Sequence, residues 1–70
     1  MDKIKILNKI IKKISKLKFD RNSRFFDLLD SIQLLRLIVL LEEKNLKLNF
    51  SKLKRNEKIF EVAKKIKKLN

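Results

Sequence analysis

Seventy residues with twenty Lys/Arg against eight Asp/Glu carry a net charge of +12 and include no Cys or His, which bounds the chain to one small domain, residues 1–70. The missing thiolates and imidazoles remove disulfides, the commonest zinc ligands and the usual general base. Composition therefore argues against a self-contained hydrolase or metalloenzyme and favours a carrier, a binder or a structural module that is not an enzyme. The absence of Gly and Pro argues against tight hairpins.

Charge is unevenly placed. Residues 1–24 hold nine Lys/Arg and two Asp, residues 25–43 one Arg and four Asp/Glu, and residues 44–70 ten Lys/Arg and two Glu. An acidic island inside a basic chain is more than a plain polyanion binder needs.

Asp2 is placed to cap a first helix whose apolar residues Ile4, Leu7, Ile10, Ile11, Ile14 and Leu17 recur at three- and four-residue steps. Lys5, Lys9, Lys12, Lys13 and Lys16 mostly take the other face. Residues 19–29 form a long connecting loop, with Phe19, Phe25 and Phe26 expected to tuck against the core. A second helix starts at Ser31 and runs to about Lys44, with Asp30 as N-cap and Gln33 completing a capping box. Leu29 and Leu34 fit a hydrophobic staple over the same start. Around this helix Leu34, Leu37, Ile38 and Leu41 make a core stripe, while Ile32, Leu35 and Val39 make a second stripe on roughly the opposite side, beside Arg36, Glu42 and Glu43. A helix apolar on two faces is fully buried or offers one face to a partner. Leu46, Leu48 and Phe50 follow as inward-pointing residues, then a short helical turn near Ser51–Leu53. A last helix from about Asn56 puts Ile59, Val62, Ala63, Ile66 and Leu69 on one face. The expected fold is all-α: a small four-helix bundle of three main helices and one short one, with a long loop after the first.

The segment "LLDSIQLLRLIVLLEE", residues 28–43, resembles the modification site of acyl and peptidyl carrier proteins, where Leu-Asp-Ser-hydrophobic opens the second helix and an acidic pair closes it. "LNFSKLKRNEKIFEVAKKI", residues 48–66, is similar to the stand-alone D-alanyl and related carriers, so the resemblance covers nearly the whole chain. It implies that Ser31 receives 4′-phosphopantetheine from coenzyme A by a phosphopantetheinyl transferase, with Asp30 helping to dock the magnesium–coenzyme A complex. The arm would carry an acyl or aminoacyl thioester between a loading ligase and a downstream transferase. By the same resemblance Ile32, Leu35, Arg36, Val39, Glu42 and Glu43 would meet partners or cargo. Asp27 and Arg36 stand where the family usually has glycine and an acid, and most of its members are acidic overall. The partners implied for this basic chain have an acidic docking surface.

On residues alone, Ser31 is a small hydroxyl next to a helix cap, and two other readings stay open. One is a small basic helical protein that binds nucleic acid or anionic membrane through its first and last helices. Few aromatics are available for base stacking, and no specific nucleic acid is expected. The other is a diverged carrier fold that is no longer modified. Apolar residues near the N-terminus are interleaved with lysines and no small-residue cleavage site follows. The longest apolar run, residues 37–41, is too short to span a bilayer. The expected location is cytoplasmic.

Overall fold

The computed structural model describes residues 2–69; the first and last residues of the expected 1–70 domain lie outside the described residues. Four helices and one small sheet follow in the order α1 (Lys3–Ile14), α2 (Phe25–Leu28), α3 (Ser31–Glu42), β1 (Leu46–Lys47), α4 (Ile59–Lys64) and β2 (Lys67–Lys68), with a 3-10 turn at Phe50–Lys52. Helix α1 packs against both α3 and α4, and the C-terminal end of α3 leads onto and packs against β1. Among the described residues no helix is long and apolar enough to cross a membrane.

Helix α1 begins where expected: Asp2 Oδ1 accepts the N–H groups of Ile4 and Lys5. Its face of Leu7, Ile10 and Ile11 is buried, so the stripe that would insert into a membrane is used for packing. The helix stops one turn earlier than its periodicity suggests. Ser15 is extended, its hydroxyl accepts the Leu17 N–H at 3.2 Å, and Leu17 is thrown out to solvent instead of joining the core.

The connection after α1 is ordered by local polar bonds and by a distant segment. Asp20 Oδ1 accepts from the Asn22 N–H and Ser23 Oγ from the Asp20 N–H. Arg24 then bridges Lys58 in antiparallel fashion, the Phe25 N–H donates to the Glu57 carbonyl at 2.8 Å, and the Ile59 N–H donates to the Ser23 carbonyl at 3.0 Å. Phe25 is fully buried with the Phe26 ring edge-on at 5.1 Å. The segment expected as a loop thus contains the short helix α2.

Pairing with residues 23–25 keeps 57–58 extended, so α4 starts at Ile59 and not near Asn56. Glu61 Oε1 accepts the Lys58 N–H at 3.0 Å and closes the helix start. Helix α4 ends at Lys64, Ile66 still reaches the core, and Leu69 is exposed. The chain leaves the helix as β2, antiparallel to β1, with Lys67 opposite Lys47 and Lys68 opposite Leu46. This sheet is an addition to the expected all-α architecture; 54% of the described residues are helical, the 3-10 turn included.

The core joins all of these pieces: Leu7, Ile10 and Ile11 of α1, Leu37 and Leu41 of α3, Leu46 and Leu48 after it, and Ile59, Val62, Ala63 and Ile66 around α4. One charged group enters it. The Glu57 carboxylate is buried and takes a charge-assisted hydrogen bond from the Lys65 ammonium, which also donates to the Lys52 carbonyl at 3.2 Å.

Candidate functional site

Helix α3 and its two cap residues, Asp30 and Glu43, carry every residue singled out for function. Its start is over-determined. Asp30 Oδ1 accepts the Gln33 N–H at 2.8 Å, Gln33 Oε1 accepts the Asp30 N–H at 2.9 Å, and the Leu34 N–H closes on the Asp30 carbonyl at 2.9 Å. Leu29 is buried and Leu34 packs against the same core, as a staple requires. Gln33 does something further that the pattern did not foretell: its Nε2 donates to the carbonyl of Ile14, the last residue of α1, at 3.2 Å. The first turn of α3 is thereby fastened to the end of α1.

Ser31 is the first residue of this helix and is exposed. The chain has no Thr, Tyr or Cys, so its neutral hydroxyl nucleophiles are Ser15, Ser23, Ser31 and Ser51. Three of these are engaged. Ser15 is buried and its Oγ accepts from Leu17; Ser23 Oγ belongs to the Asp20 turn; Ser51 Oγ donates to Asn49 Oδ1 at 2.6 Å. Among the described residues the Ser31 hydroxyl has no hydrogen-bond partner. The N–H groups of Ser31 and Ile32 are also without an acceptor there, and they point from the positive end of the helix dipole. Those two donors fit a phosphodiester built on Ser31 Oγ. Asp30 uses one carboxylate oxygen for the cap and keeps Oδ2 free on an exposed residue, the donor type a magnesium ion takes.

The second apolar stripe is uncovered. Ile32 is 72% exposed, Leu35 65% and Val39 57%, whereas Leu37 and Leu41 on the other side of the helix are fully buried. Leu35 lies about 40° around the helix from Ser31, so the hydroxyl stands at the head of this stripe. Lys13 and Ile14 from α1 join Ile32, Leu35, Arg36 and Val39 in a shallow groove of about 500 Å3. The sequence missed the α1 side of the groove, since only the packing of α1 against α3 brings Lys13 there. Leu40, given no role by the sequence, packs against the core and also borders the groove.

Glu42 and Glu43 are exposed at the far end of α3, where no basic residue occupies the last turn. Carboxylates there oppose the helix dipole by about 0.3–1 kcal/mol each. Among the described residues the single ion pair is Lys65–Glu57, so twenty cations leave this acidic pair unmatched. No family model matches the chain, and no curated protein or solved structure matches it either.

Proposed function

We propose that the chain is a stand-alone carrier protein of the cytoplasm, not itself an enzyme, with a 4′-phosphopantetheine arm on Ser31. The observation that carries this reading is the contrast among the four serines. Ser31 alone combines exposure, an unbonded hydroxyl and a helix N-terminus with free donors, and it heads an uncovered apolar stripe.

In loading, the Ser31 oxygen bonds to the phosphorus that bears the pantetheine half of coenzyme A. The pyrophosphate bond breaks, 3′,5′-adenosine bisphosphate leaves, and the transferase takes the hydroxyl proton. Asp30 would offer Oδ2 to the magnesium of the incoming complex while Oδ1 holds the cap. Afterwards the N–H groups of Ser31 and Ile32 would hold the phosphodiester, and the helix dipole would favour its charge. The arm supplies a terminal thiol on which an acyl or aminoacyl group rides as a thioester. Gln33 keeps the start of α3 fixed against α1, so the attachment point has one orientation. Ile32, Leu35 and Val39 give a loading ligase or a downstream transferase an apolar strip to grip. Lys13 and Arg36 beside the strip favour partners with carboxylates at that position, and Glu42 and Glu43 favour cations further along.

The test is intact-mass measurement after incubation with coenzyme A, magnesium and a broad-specificity phosphopantetheinyl transferase. Wild-type protein should gain one phosphopantetheine unit and Ser31→Ala none, with both melting at the same temperature. Loading of the Ser31→Ala protein would sink the proposal, as would a wild type that stays unmodified with every transferase of its own cell.

A further inference from the structure

A second concave surface is lined by residues that follow α3 in the chain and by the end of α4, and it shares no residue with the groove beside Ser31. Lys47 on β1, Lys52 after it, Lys64 and Lys65 at the end of α4, and Lys67 on β2 surround a groove of about 750 Å3, with Asn49 in its wall. No carboxylate lines it. The strand register sets Lys47 directly opposite Lys67, and both are exposed; like charges so placed repel and weaken the pairing. Only Lys65 has an acid, Glu57, while Lys47, Lys52, Lys64 and Lys67 have no ion-pair partner among the described residues. Asn49 Oδ1 accepts both the N–H and the O–H of Ser51, at 3.0 and 2.6 Å, which leaves its amide NH2 as the unspent end. The free polar groups of the groove side chains are therefore hydrogen-bond donors.

We propose that this groove binds a compact polyphosphate, two or more linked phosphate groups. The Lys64 ammonium already lies over the Phe60 ring, 5.6 Å from its centroid, which leaves those of Lys47, Lys52 and Lys67 free; a phosphate ester carries a charge of about −1.5 to −2, so linked phosphates are needed to match three ammonium groups. Lysine is a point charge without the directional fork of arginine, and no aromatic ring lines the groove to stack a base. Recognition is thus of the phosphates and not of what they are attached to. A concavity of this size admits a small anion and not a bilayer surface, and the lack of stacking residues disfavours single-stranded nucleic acid. The site is independent of Ser31 and of the carrier reading.

The experiment titrates the full chain with inorganic triphosphate, a nucleoside triphosphate and inorganic phosphate in about 0.15 M salt. Wild-type protein is compared with the Lys47→Gln/Lys67→Gln variant and with Lys9→Gln/Lys12→Gln, which removes the same charge from the exposed face of α1. The two triphosphates should bind alike and more tightly than phosphate. The groove variant should weaken binding about twenty-five-fold, roughly a factor of five for each ammonium removed, and should melt higher than wild type when no anion is present. The α1 variant should lose less than about twofold, because neither Lys9 nor Lys12 lines the groove and exposed charges outside it are screened by salt. Equal losses in the two variants would overturn the proposal by reducing it to net-charge attraction. Tighter binding of duplex DNA or anionic vesicles than of triphosphate would overturn it too.

Discussion

Leu35 and Leu37 stand two residues apart on α3, and the fold assigns them opposite fates. Leu37 is fully buried and Leu35 is 65% exposed. Truncating a buried leucine to alanine removes its transfer free energy and leaves a cavity, about 2–5 kcal/mol in all. For Leu37→Ala about 3 kcal/mol is expected, which lowers the melting temperature of a domain this size by roughly 12–24 °C at 4–8 °C per kcal/mol. Complete burial of a leucine stabilises by about 1.5–3 kcal/mol. Leu35 has only about a third of that burial to lose, and alanine regains a little helix propensity, so about 0.5 kcal/mol, or two to four degrees, is expected for Leu35→Ala. The assay is thermal melting followed by far-ultraviolet circular dichroism at two protein concentrations tenfold apart. A Leu35→Ala loss as large as that of Leu37→Ala would refute the claim that the stripe of Ile32, Leu35 and Val39 is uncovered. A loss that grew with concentration would locate the cover in a second copy of the chain.

Other consequences can be read from the same melts. Asn45 has φ = 60° just past the end of α3, a conformation that costs a non-glycine residue about 1–2 kcal/mol and asparagine the least; Asn45→Gly should match or exceed wild-type stability and Asn45→Ala should lose about 1 kcal/mol. A loss in the glycine variant would contradict the assignment. Lys65→Ala leaves the buried Glu57 carboxylate unpaired, whereas Glu57→Ala leaves an ammonium that is 39% exposed and can turn to water; the lysine variant should therefore be the less stable of the two, each losing about 1–3 kcal/mol. The opposite order would show that the carboxylate is not held by that pair. Gln33→Ala loses the bonds to the Asp30 N–H and the Ile14 carbonyl, for about 1–2 kcal/mol. Gln33→Glu keeps the capping acceptor and loses only the tie to α1, so its melting temperature should fall between those of wild type and the alanine variant.

Much of α3 was legible in the chain, because its signals are local. Asp30, Gln33 and Leu29 lie within one turn of the helix start, and the separation of Leu37 and Leu41 from Ile32, Leu35 and Val39 follows from helical period alone. What escaped depends on distant contacts. The start of α4 is set by residues 23–25 pairing with 57–59, and nothing near Asn56 announces that. Two-residue strands carry no period, so the Lys47–Lys67 pairing was invisible until the fold brought the two ends of the second half together. The α1 helix ended early because Ser15 bonds forward to Leu17, a competition that an apolar spacing ignores. At the candidate site the sequence supplied Ser31, Asp30 and the stripe. It did not supply the spent state of the other three serine hydroxyls, the Gln33 bond to Ile14, or Lys13 beside Arg36.

We propose Ser31 as the attachment point of a phosphopantetheine arm. The most direct test is the mass of the chain isolated from the cells that make it, followed by fragmentation to locate any added group. The expected result is a population carrying one phosphopantetheine unit, or that unit with an acyl or aminoacyl group, placed on Ser31. A chain uniformly at its unmodified mass, or a group placed on Ser15, Ser23 or Ser51, would contradict it.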